Sequence, residues 1–135
     1  MLVSLFLSPL FQGSKHLWYD MGMQYVYPEP SNYGFKDVNG HDGKFFNTNS
    51  PNTSHLIIEC NDKLTVSLIQ NKCEFDYYIL EGEGYFTFDG SKQIVKPGDL
   101  IVIPPGTKYS FGGKIKMLLI NTPHWSQEQE IIIKD

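Results

Sequence analysis

Apolar and polar positions alternate with period two through most of the second half of the chain. The run 54-SHLIIEC-60 reads as a strand, Asn61, Asp62 and Lys63 as a turn, and 64-LTVSLIQ-70 as a second strand. After 71-NKCE-74 come 75-FDYYILEG-82 and 85-YFTFDG-90, the second ending in an Asp-Gly pair, a strong hairpin signal. Further strands are predicted at 91-SKQIVKPG-98, 100-LIVIP-104, 108-KYSF-111 and 114-KIKMLLINT-122, with turns at 104-PPGT-107 and at Gly112-Gly113. Residues 13–53 are rich in Gly, Pro, Asn and aromatics, and alternate only in pieces such as 23-MQYVY-27 and 44-KFFN-47. Those pieces predict short strands joined by loops. Nothing before residue 126 carries a helical period over three turns. The tail 124-HWSQEQEIIIKD-135 fits a helical turn or an edge strand. Many short strands with Gly or Pro turns at regular spacing predict an all-β sandwich or barrel.

Composition narrows the classes of function. A chain of 135 residues suits one domain, with N-terminal strands and loops over 1–53, a core over 54–123 and a tail over 124–135. The net charge of -4 argues against nucleic acid, which needs a basic surface. All 11 cationic residues are Lys, so no guanidinium fork is available to grip phosphate or carboxylate. Cys60 lies beside a turn and Cys73 about nine residues beyond it, roughly 30 Å along an extended chain. That predicts two free thiols and a reducing, cytoplasmic compartment. The apolar run 1-MLVSLFLSPLF-11 is too short to span a bilayer and lacks the basic start and small-residue cleavage site of a leader. No membrane partner is predicted. Its apolar side chains still need cover, and a strand added to a neighbour's sheet edge would supply it, which predicts a homodimer.

Two stretches resemble a known family. The segment 78-YILEGEGYFTFDG-90 and the segment 98-GDLIVIPPGTKY-109 are similar to the two signature motifs of the cupin superfamily, small double-sheet jelly-roll barrels. The ending 122-TPHWSQEQE-130 also resembles the close of small bacterial cupins found near polysaccharide-synthesis genes. The resemblance implies a metal site built from an H-x-H pair, a Glu and a later His. Those positions fall here near Ile69 and Asn71, on Phe75, and on Tyr109. Phe and Ile offer no donor, and neutral Asn and Tyr are poor transition-metal ligands. No metal and no other cofactor is therefore predicted.

If Phe75 faces the barrel, alternation turns Tyr77 and Ile79 the same way, and Tyr109 goes with Phe111. The former metal site then becomes aromatic, with a phenol or two and the Asn71 amide. Such a lining suits a small polar, sugar-like ligand, or the rings simply fill the barrel. His55 and Glu59 share one face of a strand and join the candidate ligand-binding set of Asn71, Phe75, Tyr77, Tyr109 and Phe111 if that face is inward. Three functions stay open. The first is metal-free binding of a sugar-like molecule. The second is a metal-independent epimerase or isomerase with His55 as base, Tyr77 or Tyr109 as acid and Glu59 orienting the base. The third is an oligomeric scaffold with a filled barrel.

Overall fold

The computed structural model describes residues 24–134, so the apolar segment 1–11 lies outside the described residues. Two tight hairpins punctuate the fold for one stereochemical reason. Asn39-Gly40 and Asp89-Gly90 hold positive φ at both positions (52° and 96°, 48° and 84°), the conformation that two-residue hairpin loops require. The first closes β1 (Phe35–Val38) on β2 (His41–Phe45). The second closes β5 (Glu74–Phe88) on β6 (Ser91–Val95). The remaining strands are β3 (Ser54–Cys60), β4 (Val66–Gln70), β7 (Leu100–Ile103), β8 (Lys108–Thr122) and β9 (Glu130–Lys134), with a 3₁₀ turn at Gln127–Gln129 before the last.

All pairings are antiparallel. The 15-residue strands β5 and β8 pair with each other from Glu74–Thr122 to Phe88–Tyr109. Each long strand serves two layers. The C-terminal half of β8 pairs with β3, which continues through β2 to β1, and the N-terminal half of β5 pairs with β7. The N-terminal end of β8 pairs with β4, which continues to β9, and the C-terminal half of β5 pairs with β6. The sheet thus folds over on itself as a jelly roll, and the inner faces of its two layers form one core. Alternation decides who enters it. Leu56, Ile58 and Cys60 of β3 face in, opposite Leu119, Met117 and Ile115 of β8, while His55, Ile57 and Glu59 take the outer face.

The Gly112-Gly113 turn expected from sequence does not form. Both residues lie inside β8, opposite Tyr85 and Gly84 of β5. Glycine serves close approach here, since a Cβ on Gly84 would overlap the Gly112 carbonyl and one on Gly82 the Lys114 carbonyl. Likewise 75–82 and 85–90 merge into one strand with an irregularity between Ile79 and Glu81. The described part of 23–27 is irregular rather than a strand; Pro28 and Pro30 follow directly and cannot donate to a ladder. The tail contains both predicted alternatives, a helical turn and then an edge strand.

Gly82 carries φ +85° beneath the Lys114 carbonyl, whereas Gly90 carries φ +84° with open space around it. Gly90→Ala is expected to cost about 1 kcal/mol through backbone strain alone. Gly82→Ala must also push β5 from β8 and is expected to cost about 3 kcal/mol or more. Urea midpoints of the two variants check this; equal losses would show that the strands do not depend on contact at Gly82.

Candidate functional site

Phe75, Tyr77, Tyr109 and Phe111 all point into the barrel and are buried, as alternation requires. They do not enclose a hollow. Tyr77 packs on Phe86 (centroids 5.2 Å), Phe111 (5.6 Å), Tyr109 (6.0 Å) and Phe75 (6.1 Å). Edge and tilted contacts of this kind are favourable for rings that carry a quadrupole. Two phenols in such a core need partners, and they find each other: the Tyr77 and Tyr109 hydroxyls lie 2.8 Å apart, joining the two layers.

A polar string runs outward from this pair. Gln70, inward at the end of β4, donates to Glu130 Oε2 (2.8 Å) and accepts from Gln129 Nε2 (2.9 Å). Burial pushes the pKa of both tyrosines above the usual phenol value. The charge of Glu130 adds to that rise, while Gln70 and Tyr77 act on Tyr109 in the opposite sense. Both phenols therefore stay protonated at neutral pH.

His41 is a further inward polar group, as is Asn121 opposite Phe75. His41 opens β2 opposite Cys60, and its ring lies 5.0 Å from Phe35 and 5.9 Å from Phe111. Because a carbonyl only accepts, Nδ1–H must donate to Val38 O (2.6 Å), which leaves the lone pair of the neutral ring on Nε2. Burial pushes the His41 pKa below the usual imidazole value; the Val38 contact and the charges of Glu130 and Asp42 pull it partly back. A line of rings therefore runs from Phe45, inward by alternation yet 42% exposed, through Phe35 and His41 to Phe111 and the phenol pair. This is the barrel mouth.

The other expected site residues lie elsewhere. Asn71 is exposed in the turn after β4, where its N–H donates to the Gln129 carbonyl (3.0 Å); the inward amide is Gln70, one residue earlier. His55 and Glu59 do share a face, but it is the outer one, because Leu56, Ile58 and Cys60 occupy the inner positions. His55 lines an outer pocket of about 610 Å³ with Tyr25, Tyr27, Phe46 and Leu118. Glu59 accepts from the Tyr33 hydroxyl (2.9 Å) beside Lys44. Neither can pair with Tyr77 or Tyr109 across the sheet. The candidate set read from the sequence leaves out His41, Gln70 and Glu130. The Asn39-Gly40 hairpin signal would have placed His41 at the start of a strand, and the alternation in 130-EIIIK-134 would have placed Glu130 on a face.

The residues do not fit the metal that the family motif implies. Phe75 offers no donor, Asn71 and Ile69 do not face the barrel, and the Tyr109 oxygen is a protonated phenol engaged with Tyr77. Among the described residues no three His, Cys, Asp or Glu side chains converge.

Residues 74–120 match the family model of the Cupin domain. The fold is a cupin-like jelly roll. Among solved structures, a Streptomyces nucleoside dehydratase, Pac13, determined with uridine in variant forms, superposes with a TM-score of 0.74 over 83% of this chain and 92% of its own at 20% identity. KdgF from a Halomonas species superposes at 0.62 over 73% and 91% with 15% identity. An RmlC-like cupin from Shewanella frigidimarina gives 0.59 over 78% and 93% with 17% identity. A curated relative, an uncharacterized protein of Methanocaldococcus jannaschii, is 40% identical over 62 residues, 43% of this chain and half of the relative's length. Identities this low in the solved structures establish the fold alone.

Two titrations test this description. Asp76, on the outer face of β5 with no partner for Oδ1, is raised to about 6, by burial first and then by Glu74. Between about 4, where an unfolded Asp ionises, and 6, the folded chain holds a proton that the unfolded chain has lost. Stability from this group therefore falls as pH rises through that window, and Asp76→Asn is expected to be stabilising above pH 6 and neutral near pH 3.5. A pH-independent effect in urea unfolding would contradict the assignment. His41 runs the other way: below about pH 6.5 the unfolded imidazole takes a proton that the buried one resists, so stability falls with acid. In an Asp76→Asn background, His41→Gln is expected to flatten that fall.

Proposed function

We propose that this protein binds a small polar ligand carrying a sugar ring, without a metal, at the barrel mouth formed by Phe45, Phe35 and His41. The supporting observation is the inward, neutral His41 imidazole, set between partly exposed rings and a buried phenol pair. A filled scaffold core has no need of an imidazole, a carboxylate and two phenols at one end. Ring faces suit the CH surface of a sugar or a flat base, and Nε2 is an acceptor for a hydroxyl. A structural neighbour of the same fold was determined with uridine, which makes a ribonucleoside the first class to try.

Uridine, other nucleosides and free hexoses titrated calorimetrically would test the reading. One of these classes is expected to bind, with His41→Gln weakening it about tenfold or more, the cost of one lost hydrogen bond in a partly desolvated site. Absence of binding to every member at millimolar concentration, or binding indifferent to His41, would overturn it.

A second reading, metal-independent proton transfer on a sugar derivative, is favoured by one feature. Burial keeps His41 in its base form while the phenols keep their protons, the arrangement that general acid–base chemistry uses. Here His41, not His55, is the base. Solvent deuterium appearing in a bound ligand for the native chain but not for His41→Gln would support it; no exchange in either would remove it.

A further inference from the structure

The tail that leaves β8 folds back on the first residue of β3, and a histidine meets a serine there. His124 Nε2 lies 2.8 Å from the Ser50 carbonyl, and His124 Nδ1 lies 2.9 Å from Ser54 Oγ. A carbonyl only accepts, so Nε2 carries the proton and donates it. In the neutral ring the lone pair then stands on Nδ1, and the Ser54 hydroxyl donates to it. Nucleophile, base and a third group that orients the base are thus linked by hydrogen bonds, the arrangement that activates a serine.

Other bonds hold the tail without calling on the imidazole. The buried Cys73 thiol donates to the carbonyls of Pro123 (3.1 Å) and His124 (3.6 Å). The Trp125 N–H donates to Ser54 Oγ (3.3 Å), and the Trp125 side chain packs against the core. Ser54 Oγ therefore gives its proton to His124 and accepts from Trp125, which leaves one lone pair of the hydroxyl for attack.

Beside this pair stands a polar group with an unmet bond. Asn121 of β8 is the cross-strand partner of Ser54 and, on its other side, of Phe75. Opposite residues share a face with Cβ atoms roughly 4.5–5.5 Å apart, so amide and hydroxyl are neighbours on the inner face. Asn121 is 1% exposed, yet its Oδ1 has no partner. Buried polar groups in a finished core are bonded. The free acceptor suits a hydroxyl or N–H of a ligand, and the NH2 of the same amide suits an oxygen that gains charge.

We infer that Ser54 is a nucleophile activated by His124, and that this end of the barrel cleaves small carboxylic esters. Ser54 Oγ bonds to the acyl carbon, the ester C–O bond breaks, and the Oγ proton passes through His124 Nδ1 to the departing alkoxide. Water then attacks the acyl carbon and gives its proton to Nδ1, and Oγ takes that proton back as the carboxylic acid leaves. The acyl group is short, because Asn121, Phe75 and Cys73 around the serine are all buried. The site is separate from the barrel mouth. Ser54 opens β3, whereas Cys60, which ends it about 20 Å away, faces His41.

Intact-mass analysis of the full chain treated with a fluorophosphonate tests this, since that reagent phosphonylates an activated serine and releases fluoride. One adduct per chain is expected, mapped to Ser54 and absent from Ser54→Ala. His124→Gly is expected to slow labelling about a hundredfold or more, and added imidazole to restore part of the rate, which replacing a mere tail anchor would not do. p-Nitrophenyl acetate gives a second measurement on the native chain, an expected burst of roughly one p-nitrophenolate per chain that Ser54→Ala lacks. No adduct at Ser54 would overturn the proposal. So would labelling indifferent to His124→Gly, or ester hydrolysis equal in the native chain and Ser54→Ala.

Discussion

The structure depends on two long strands lying against each other over their whole length. β5 and β8 each run through both layers, and every other strand except β1, β2 and β9 pairs directly with one of them. Their ladder passes the middle of the molecule where Gly82 and Gly84 face Ile115 and Gly113. Side chains there would meet main chain rather than space. Absence of Cβ atoms at this point lets the two strands cross from one layer to the other without losing hydrogen bonds, which is what makes one sheet into a jelly roll.

The chemistry of the interior follows from that crossing. Tyr77 sits in the half of β5 that belongs to one layer and Tyr109 in the half of β8 that belongs to the other, so their hydroxyls meet across the core. The pair satisfies two buried polar groups. Rings fill the core around this pair, and His41 is held at its edge by the Val38 carbonyl within its own hairpin. Glu130 connects this end to the final strand, which pairs with β4 among the described residues.

Much of this was legible in the chain. Period-two alternation tied Phe75 to Tyr77 and Tyr109 to Phe111 on shared faces, and Asp89-Gly90 marked its hairpin, because both signals act between near neighbours. That Phe75 and Ile69 offer no metal donor was equally readable, since their side chains carry no lone pair wherever they lie. The faces of His55 and Glu59 were not. Alternation says that they agree with each other, but only pairing with β8 says which side is the core. Asn71 was misplaced by a single residue, and one residue is enough to exchange inside for outside.

By itself, then, the sequence determined most of the strands after residue 54, the Asp89-Gly90 hairpin, the all-β class and which aromatics share a face, all properties of local pattern and stereochemistry. Tertiary structure alone decided that Gly112-Gly113 continues a strand instead of turning, since the partner across the ladder, not the dipeptide, supplies the reason. It decided likewise that the rings pack solid, because packing depends on distances between β5 and β8 that no single strand contains. And it decided that Gln70 and Glu130, sixty positions apart, are bonded and that the charge of Glu130 reaches His41 on β2, because folding the sheet over sets strands distant in sequence across one core.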